Sequence, residues 1–351
     1  MNQRILVQSL VIAILCLLAC PGPAHAGTKK AKFTYPDGSP MPVTPWGDPD
    51  LQGMWPITHL IATPLQRNPK YGTRRYLTDA EWKKAEAILK GRYERYDTEN
   101  TKNELGMGSW AESTLRSEAA RLTSLTSYPP NGRIPTLTPY GKKLAHQFHS
   151  DDFEHVFDSP SDFDAWDRCI TRGMPESMLP VNYNNGIQIV QSPGYVVIRL
   201  EMIHESRIIP IDSKPLDPAI EQWLGAPRGH WEGATLVVET TNFNGKVAMT
   251  NVGTPGAPHH EMPTTPDMKI TERFTRVSHD RIDYRMTVED PKVLTDKWTV
   301  SYPMFLDPKY RFFEYACLEG DTAIRHYIEV SRYERGLTRS GKPKTATTPG
   351  R

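Results

Sequence analysis

The sequence predicts a mainly β protein, an antiparallel meander closing into a barrel of about eight to ten strands, with a helical and irregular region inserted after the first strand. Three observations carry this. From Gly186 onward, apolar and polar residues alternate with period two in segments rich in β-branched and aromatic residues. Most of those segments are joined by links short enough for hairpins, such as Pro193-Gly194 and His279-Asp280. Hydrophobic residues make up 38% of the 351 and Pro contributes 31, a composition that favours turns and sheet over a helical bundle.

Residues 1–26 read as a secretory leader: Arg4 is the basic n-region, Ile5 to Cys20 the apolar run, and Ala24-His25-Ala26 a cleavage site before Gly27. The run is shorter than the roughly 20 residues of a membrane span. Leu17-Leu18-Ala19-Cys20 also has the shape of a lipoprotein box, so a lipid anchor at Cys20 competes with release. The expected address is periplasmic or secreted, with an outer-membrane lipoprotein as the alternative. Residues 27–48, polar and Pro-rich, read as an extended arm, and residues 49–335 as a single β domain whose first strand is Asp50 to Trp55.

The insert spans residues 75–168. Thr78 and Glu81 make a capping box ahead of a stripe of Trp82, Ala85, Leu89 and Tyr93, which predicts a helix. A polar, weakly patterned stretch follows over 96–120, then a turn-rich segment around Pro129-Pro130-Asn131-Gly132. Thr138 before Pro139 opens a second helix carrying Leu144, Ala145 and Phe148. The predicted strands are Ile187–Gln191, Tyr195–Met202, Arg207–Ile211, Thr235–Asn242, Met268–Val277, Arg281–Asp290, Trp298–Phe305 and Arg311–Cys317. Gly245–Asp267, dense in Pro and Gly, reads as a flap, and residues 336–351 as a disordered basic tail.

Lys plus Arg number 42 and Asp plus Glu 41, so no net field draws a polyanion and nucleic acid is not an expected partner. Beyond the leader only Cys169 and Cys317 remain, and in an oxidising compartment they are expected to pair. Such a bridge closes a loop of about 150 residues, stabilising by roughly 4–5 kcal/mol in the chain-entropy picture.

The chemistry is read from strand alternation. In Tyr195–Met202 one face carries Tyr195, Arg199 and Glu201. Glu239, Glu272, Arg276, Arg285, Glu289 and Glu314 interrupt the neighbouring strands, either as the solvated outside of a sheet or as the lining of a polar lumen. Glu201, His204 and Arg207, where one strand turns into the next, are the candidate catalytic residues: carboxylate to orient, imidazole as base, guanidinium for a developing anion. The plainer alternative has His204 capping a turn and Arg207 pairing with a surface acid. Tyr195, Arg199, Trp231, Glu232, Tyr284 and Glu314 are the candidate ligand-binding residues. His146, His149, Asp152 and His155 share a spacing of three, and His259-His260-Glu261 sits in the flap. Both read more simply as solvated side chains, so no metal is expected. HExxH, GxSxG, a Walker loop and GxGxxG are absent, and no cofactor is expected.

Pro49 to Trp55, Asn131 to Pro135, Asp167 to Ile170, Glu201 to Ile209, Gly229 to Phe243 and Glu314 to Cys317 resemble segments of a large group of exported bacterial proteins to which no activity is assigned. The chain departs from that pattern at Leu216, Ala234 and Leu318, where the group commonly has His, Asp and His. Gly53-Met54-Trp55 is also similar to the Gly-X-Trp that opens the first strand of calycins, the lipocalin and nitrobindin type of barrel. That likeness implies a calycin-like barrel rather than a sandwich. The expected function is binding of a small, partly apolar molecule in the lumen or mouth. The alternative is a cofactor-independent periplasmic lyase, isomerase or hydrolase using Glu201, His204 and Arg207.

Overall fold

Alternation along the chain becomes two antiparallel sheets that face one another across one core. The computed structural model describes residues 33–101, 121–145, 156–249, 254, 262–317 and 322–343. The strands are β1 (Gly53–Met54), β2 (Thr126–Tyr128), β3 (Ile187–Ser192), β4 (Tyr195–Leu200), β5 (Ser206–Pro210), β6 (Ala226–Glu232), β7 (Thr235–Thr241), β8 (Ala248–Met249), β9 (Met262–Pro263), β10 (Lys269–Ser278), β11 (Arg281–Glu289) and β12 (Trp298–Phe305). The smaller sheet runs β1-β3-β4-β5 and the larger β2-β12-β11-β10-β7-β6, while β8 and β9 form a separate two-stranded ribbon.

Period two decides which residues meet between the sheets. Ile187, Ile189, Val196, Ile198, Leu200 and Ile209 from the smaller sheet pack against Leu236, Val238, Ile270, Phe274, Met286, Trp298 and Val300 from the larger. The space between the sheets is therefore filled by side chains, with Trp55, Phe274, Tyr284 and Trp298 among the largest fully buried groups.

No closed barrel forms among the described residues, which corrects the barrel expectation. At one edge β5 and β6 meet only through an isolated parallel bridge between Ile211 and Gly229. The approach is close enough that a Cβ at Gly229 would lie 2.7 Å from the Ile211 side chain. At the other edge Asp307 N donates to Met54 O at 2.9 Å, joining the end of β12 to β1 by one hydrogen bond. Two residues of β1 and three of β2 are too few to complete a ladder there.

The helices are α1 (Asp79–Thr101), α2 (Pro139–Ala145) and α3 (Ala323–Glu334). The capping box is present: Glu81 N donates to Thr78 Oγ1 at 3.3 Å and Thr78 N to Glu81 Oε2 at 2.8 Å. Arg74 forks onto the same carboxylate at 2.6 and 2.8 Å, and its hydrogen bonds hold Glu81 down to about 2. Thr138 caps α2 by accepting from Gly141 N at 3.0 Å. Helix α3 packs Ile324 and Ile328 on Phe157 and Phe163. No helix among the described residues is long and apolar enough to cross a membrane.

Three further expectations change. Residues 33–50 form two tight turns, closed by bridges Thr34–Pro40 and Val43–Pro49, instead of an extended arm. Arg311–Cys317 is not a strand, because Phe313 N donates to the Glu201 carboxylate rather than to a neighbouring backbone. The described ends of the flap carry the β8–β9 ribbon. The leader with Cys20, the flap motif His259-His260-Glu261, the group His146, His149, Asp152 and His155, and the tail beyond 343 lie outside the described residues. Cys169 and Cys317 form a disulfide, with Cα atoms 5.7 Å apart.

Candidate functional site

Glu201, His204 and Arg207 lie on a turn between adjacent strands, yet each has its own partners. Glu201 is buried and accepts from Gly186 N at 2.9 Å, Tyr310 Oη at 2.6 Å and Phe313 N at 2.5 Å, so its carboxylate clamps the chain after β12 to the start of β3. Arg207 points the other way, between the sheets, and makes a two-armed ion pair with Glu272 of β10. His204 is exposed, and its Nδ1 lies 3.1 Å from Tyr315 O. A carbonyl only accepts, so Nδ1 carries a proton and Nε2 is the ring nitrogen turned away from that contact.

The turn itself is strained. Ile203 and His204 both adopt left-handed backbone, at φ 56° and 45°, and this conformation is unfavourable for a β-branched residue such as Ile203. Next to them Glu205 is half-buried, and partial burial raises its carboxyl above the ordinary value. Ser177 Oγ donates to Glu205 at 3.3 Å. Arg172 is fully buried nearby, donates to Leu179 O at 2.8 Å and lies 5.4 Å over the Trp166 ring. Burial pushes the Tyr183 hydroxyl up to about 12. The crevice between Arg172, Ser177 and Glu201 holds only about 10 Å³, close to the room of one water.

The candidate ligand-binding residues are dispersed. Tyr195 and Arg199 are exposed on the outer face of β4, Arg199 lying 4.8 Å over the Phe312 ring. Glu314 is exposed on the chain after β12, and Trp231 is half-buried on β6. Tyr284 is buried between the sheets and donates to Glu272 at 2.8 Å. Glu232 accepts from Arg273 at 2.7 Å and so reaches the rim of a different site.

That site is a groove of about 460 Å³ on the outer face of the larger sheet. Its floor comes from Arg273, Thr275 and Val277 of β10, Arg281, Asp283 and Arg285 of β11, and Ser301 and Pro303 of β12. Arg75, Tyr76 and Leu122 supply a wall, so four guanidinium groups face one carboxylate. Arg281 bonds Asp283 at 2.7 Å and Arg273 bonds Glu232, whereas Arg285 is exposed and has no acidic partner among the described residues. Arg273 and Arg285 stand directly opposite in the β10–β11 register, a like-charge pairing that disfavours the sheet unless something lies between the two charges. Arg75 donates to the carbonyls of Ser124 at 3.1 Å and Thr126 at 3.1 Å, and also to Ser301 O. Burial, with Arg67 and Arg285 adding repulsion, brings Arg75 down to about 10, so it stays charged at neutral pH.

Alternation marks Arg285 but does not show its pairing with Arg273. Alternation puts Arg273, Arg281 and Arg285 on outward positions, but their meeting depends on a register that slips by a bulge between Arg276 and Ser278. The mixed polar residues divide between both sequence readings: Glu272 and Arg276 point inward, while Glu239 and Arg285 point outward. No protein-family model, curated protein or solved structure matches this chain.

Proposed function

We propose that this is an exported protein that binds a small anionic molecule in the arginine-lined groove of the larger sheet. The supporting observation is the cross-strand pair Arg273 and Arg285 above a groove of about 460 Å³ with Arg285 unneutralised. An anion bridging the two would replace repulsion by charge-assisted hydrogen bonds, roughly twice as strong as neutral ones. The volume falls within the range typical of small-molecule sites, roughly 300–1,000 Å³. The space between the sheets is packed, so the binding reading attaches to this outer face rather than to a lumen. The leader read in residues 1–26 and the Cys169–Cys317 disulfide support a periplasmic or secreted address.

Calorimetric titration with pyrophosphate tests this reading. Saturable binding that weakens as salt rises, and that Arg285→Gln weakens by at least about tenfold, about 1.4 kcal/mol, is the expected result. Absence of binding at low salt overturns it.

The strained Ile203-His204 turn beside half-buried Glu205 favours a second reading, a cofactor-independent hydrolase, lyase or isomerase with His204 Nε2 as base. Glu201 and Arg207 would then act as positioning residues, since the Glu201 carboxylate and the terminal guanidinium nitrogens of Arg207 are bound elsewhere. A lyase and esterase screen in which His204→Ala lowers turnover by about 10²-fold or more supports this reading; turnover unchanged by that substitution removes it.

A further inference from the structure

We infer that the molecule bound in the arginine groove is amphiphilic, an anionic head group carrying a short aliphatic chain, and that the chain lies in a second, apolar groove against helix α1. This inference rests on the anion-binding reading above. The second groove, about 240 Å³, is lined mainly by apolar side chains, among them Ala62, Leu77, Ile88, Leu89 and Leu122, and also by Arg92. Leu122 lines both grooves, while the consecutive residues Tyr76 and Leu77 line the first and the second respectively. Tyr76 and Leu122 are themselves paired as an antiparallel bridge, which sets the two grooves side by side.

Ile88 projects from α1 with 68% of its surface exposed and Tyr76 with 57%, the pattern expected where an apolar ligand supplies the missing cover. At roughly 10–15 Å³ of such space for each water-sized group, the groove has room for an alkyl chain of octyl length. Head and tail therefore have separate seats: guanidinium groups with a surplus of positive charge for one, a mainly aliphatic lining for the other. A carboxylate or a phosphate monoester head satisfies the same donors.

Titration with ethyl phosphate and octyl phosphate, the latter below its micelle concentration, separates head from chain. Each fully buried methylene tightens binding about fourfold, so octyl phosphate is expected to bind the unmodified protein at least about 50-fold more tightly than ethyl phosphate even when the chain is only partly covered. Ile88→Glu, a change at an exposed helical position, is expected to remove at least about tenfold of the octyl gain and leave ethyl phosphate unchanged. Arg285→Gln is expected to weaken both esters alike. Equal affinity for the two esters overturns the inference and leaves the anion reading standing. An octyl gain that survives Ile88→Glu also overturns it, because the chain then sits elsewhere. Failure of both esters and of pyrophosphate removes the inference and the reading beneath it together.

Discussion

Arg207 of β5 and Glu272 of β10 form a two-armed ion pair between the sheets, Nη1 donating to Oε1 at 2.9 Å and Nη2 to Oε2, with both side chains at most 1% exposed. Tyr284 donates to the same carboxylate at 2.8 Å, and Thr240 Oγ1 accepts from Arg207 at 3.4 Å. Burial and the Glu272 charge push the Tyr284 hydroxyl far above its ordinary range, so it remains a donor. Burial lowers the Arg207 guanidinium, but Glu272 more than offsets this and leaves it raised. The pair fixes how the two sheets sit on each other. Removing one partner strands the other charge, and Glu272→Ala is expected to cost about 3–5 kcal/mol in urea unfolding. The double change Arg207→Met with Glu272→Leu is expected to recover most of that loss. A single variant as stable as the parent would contradict the structural role.

Glu201 makes a different prediction, because its acceptors are used by backbone and a phenol rather than by a cation. Glu201→Gln keeps the shape but replaces one charged acceptor oxygen by a donor that meets Gly186 N, Tyr310 or Phe313 N. Loss of about 2–3 kcal/mol is expected, with proteolysis appearing first in the 310–317 segment. Cleavage elsewhere, at unchanged stability, would show that the clamp does not hold the chain after β12.

Glu205 gives a pH dependence of defined sign. Its folded-state value lies above the ordinary 4.5 because of burial, so its stabilising effect is full below that value and is lost as pH rises through the raised folded value. Between about pH 4 and pH 7 the parent should therefore lose stability relative to Glu205→Gln, read as a difference in denaturant midpoint. Parallel curves for the two proteins would remove Glu205 as the cause.

The disulfide joins residues 148 apart in sequence and ties the chain after β12 to the segment that follows the insert. Reduction is expected to lower stability by about 4 kcal/mol or less, depending on residual structure in the unfolded chain. In protein produced from Gly27 onward, unfolded without reductant, titration should find no free thiol.

The sequence made most of the strands legible. Strands β3–β5, β10 and β11 follow from period two, which a half-buried sheet requires, and β7 and β12 from the same pattern broken at Val237 and Thr299. Strand β6 escaped because Pro227 and Gly229 break the pattern, and Gly229 is there for its close approach to Ile211. Helix α3 escaped because its inward stripe is only Ile324 and Ile328 within a charged segment. The inward turn of Arg207 and Glu272 was hidden because alternation assigns a face without saying which face is buried. The arginine groove depends on cross-strand register, and that is fixed by the bulge at the end of β10. Residue type and position mark His204 and Glu201, but their partners Tyr315, Tyr310 and Phe313 come from a segment that alternation predicts as a strand.

A crystal structure of the protein grown with octyl phosphate tests the central claim most directly. Phosphate oxygens within about 3 Å of the Arg273 and Arg285 guanidinium groups, with the chain running past Leu122 toward Ile88, are the expected result. An ordered ligand seated instead at the His204–Glu205 turn, or an empty groove under conditions where calorimetry shows saturation, would contradict it.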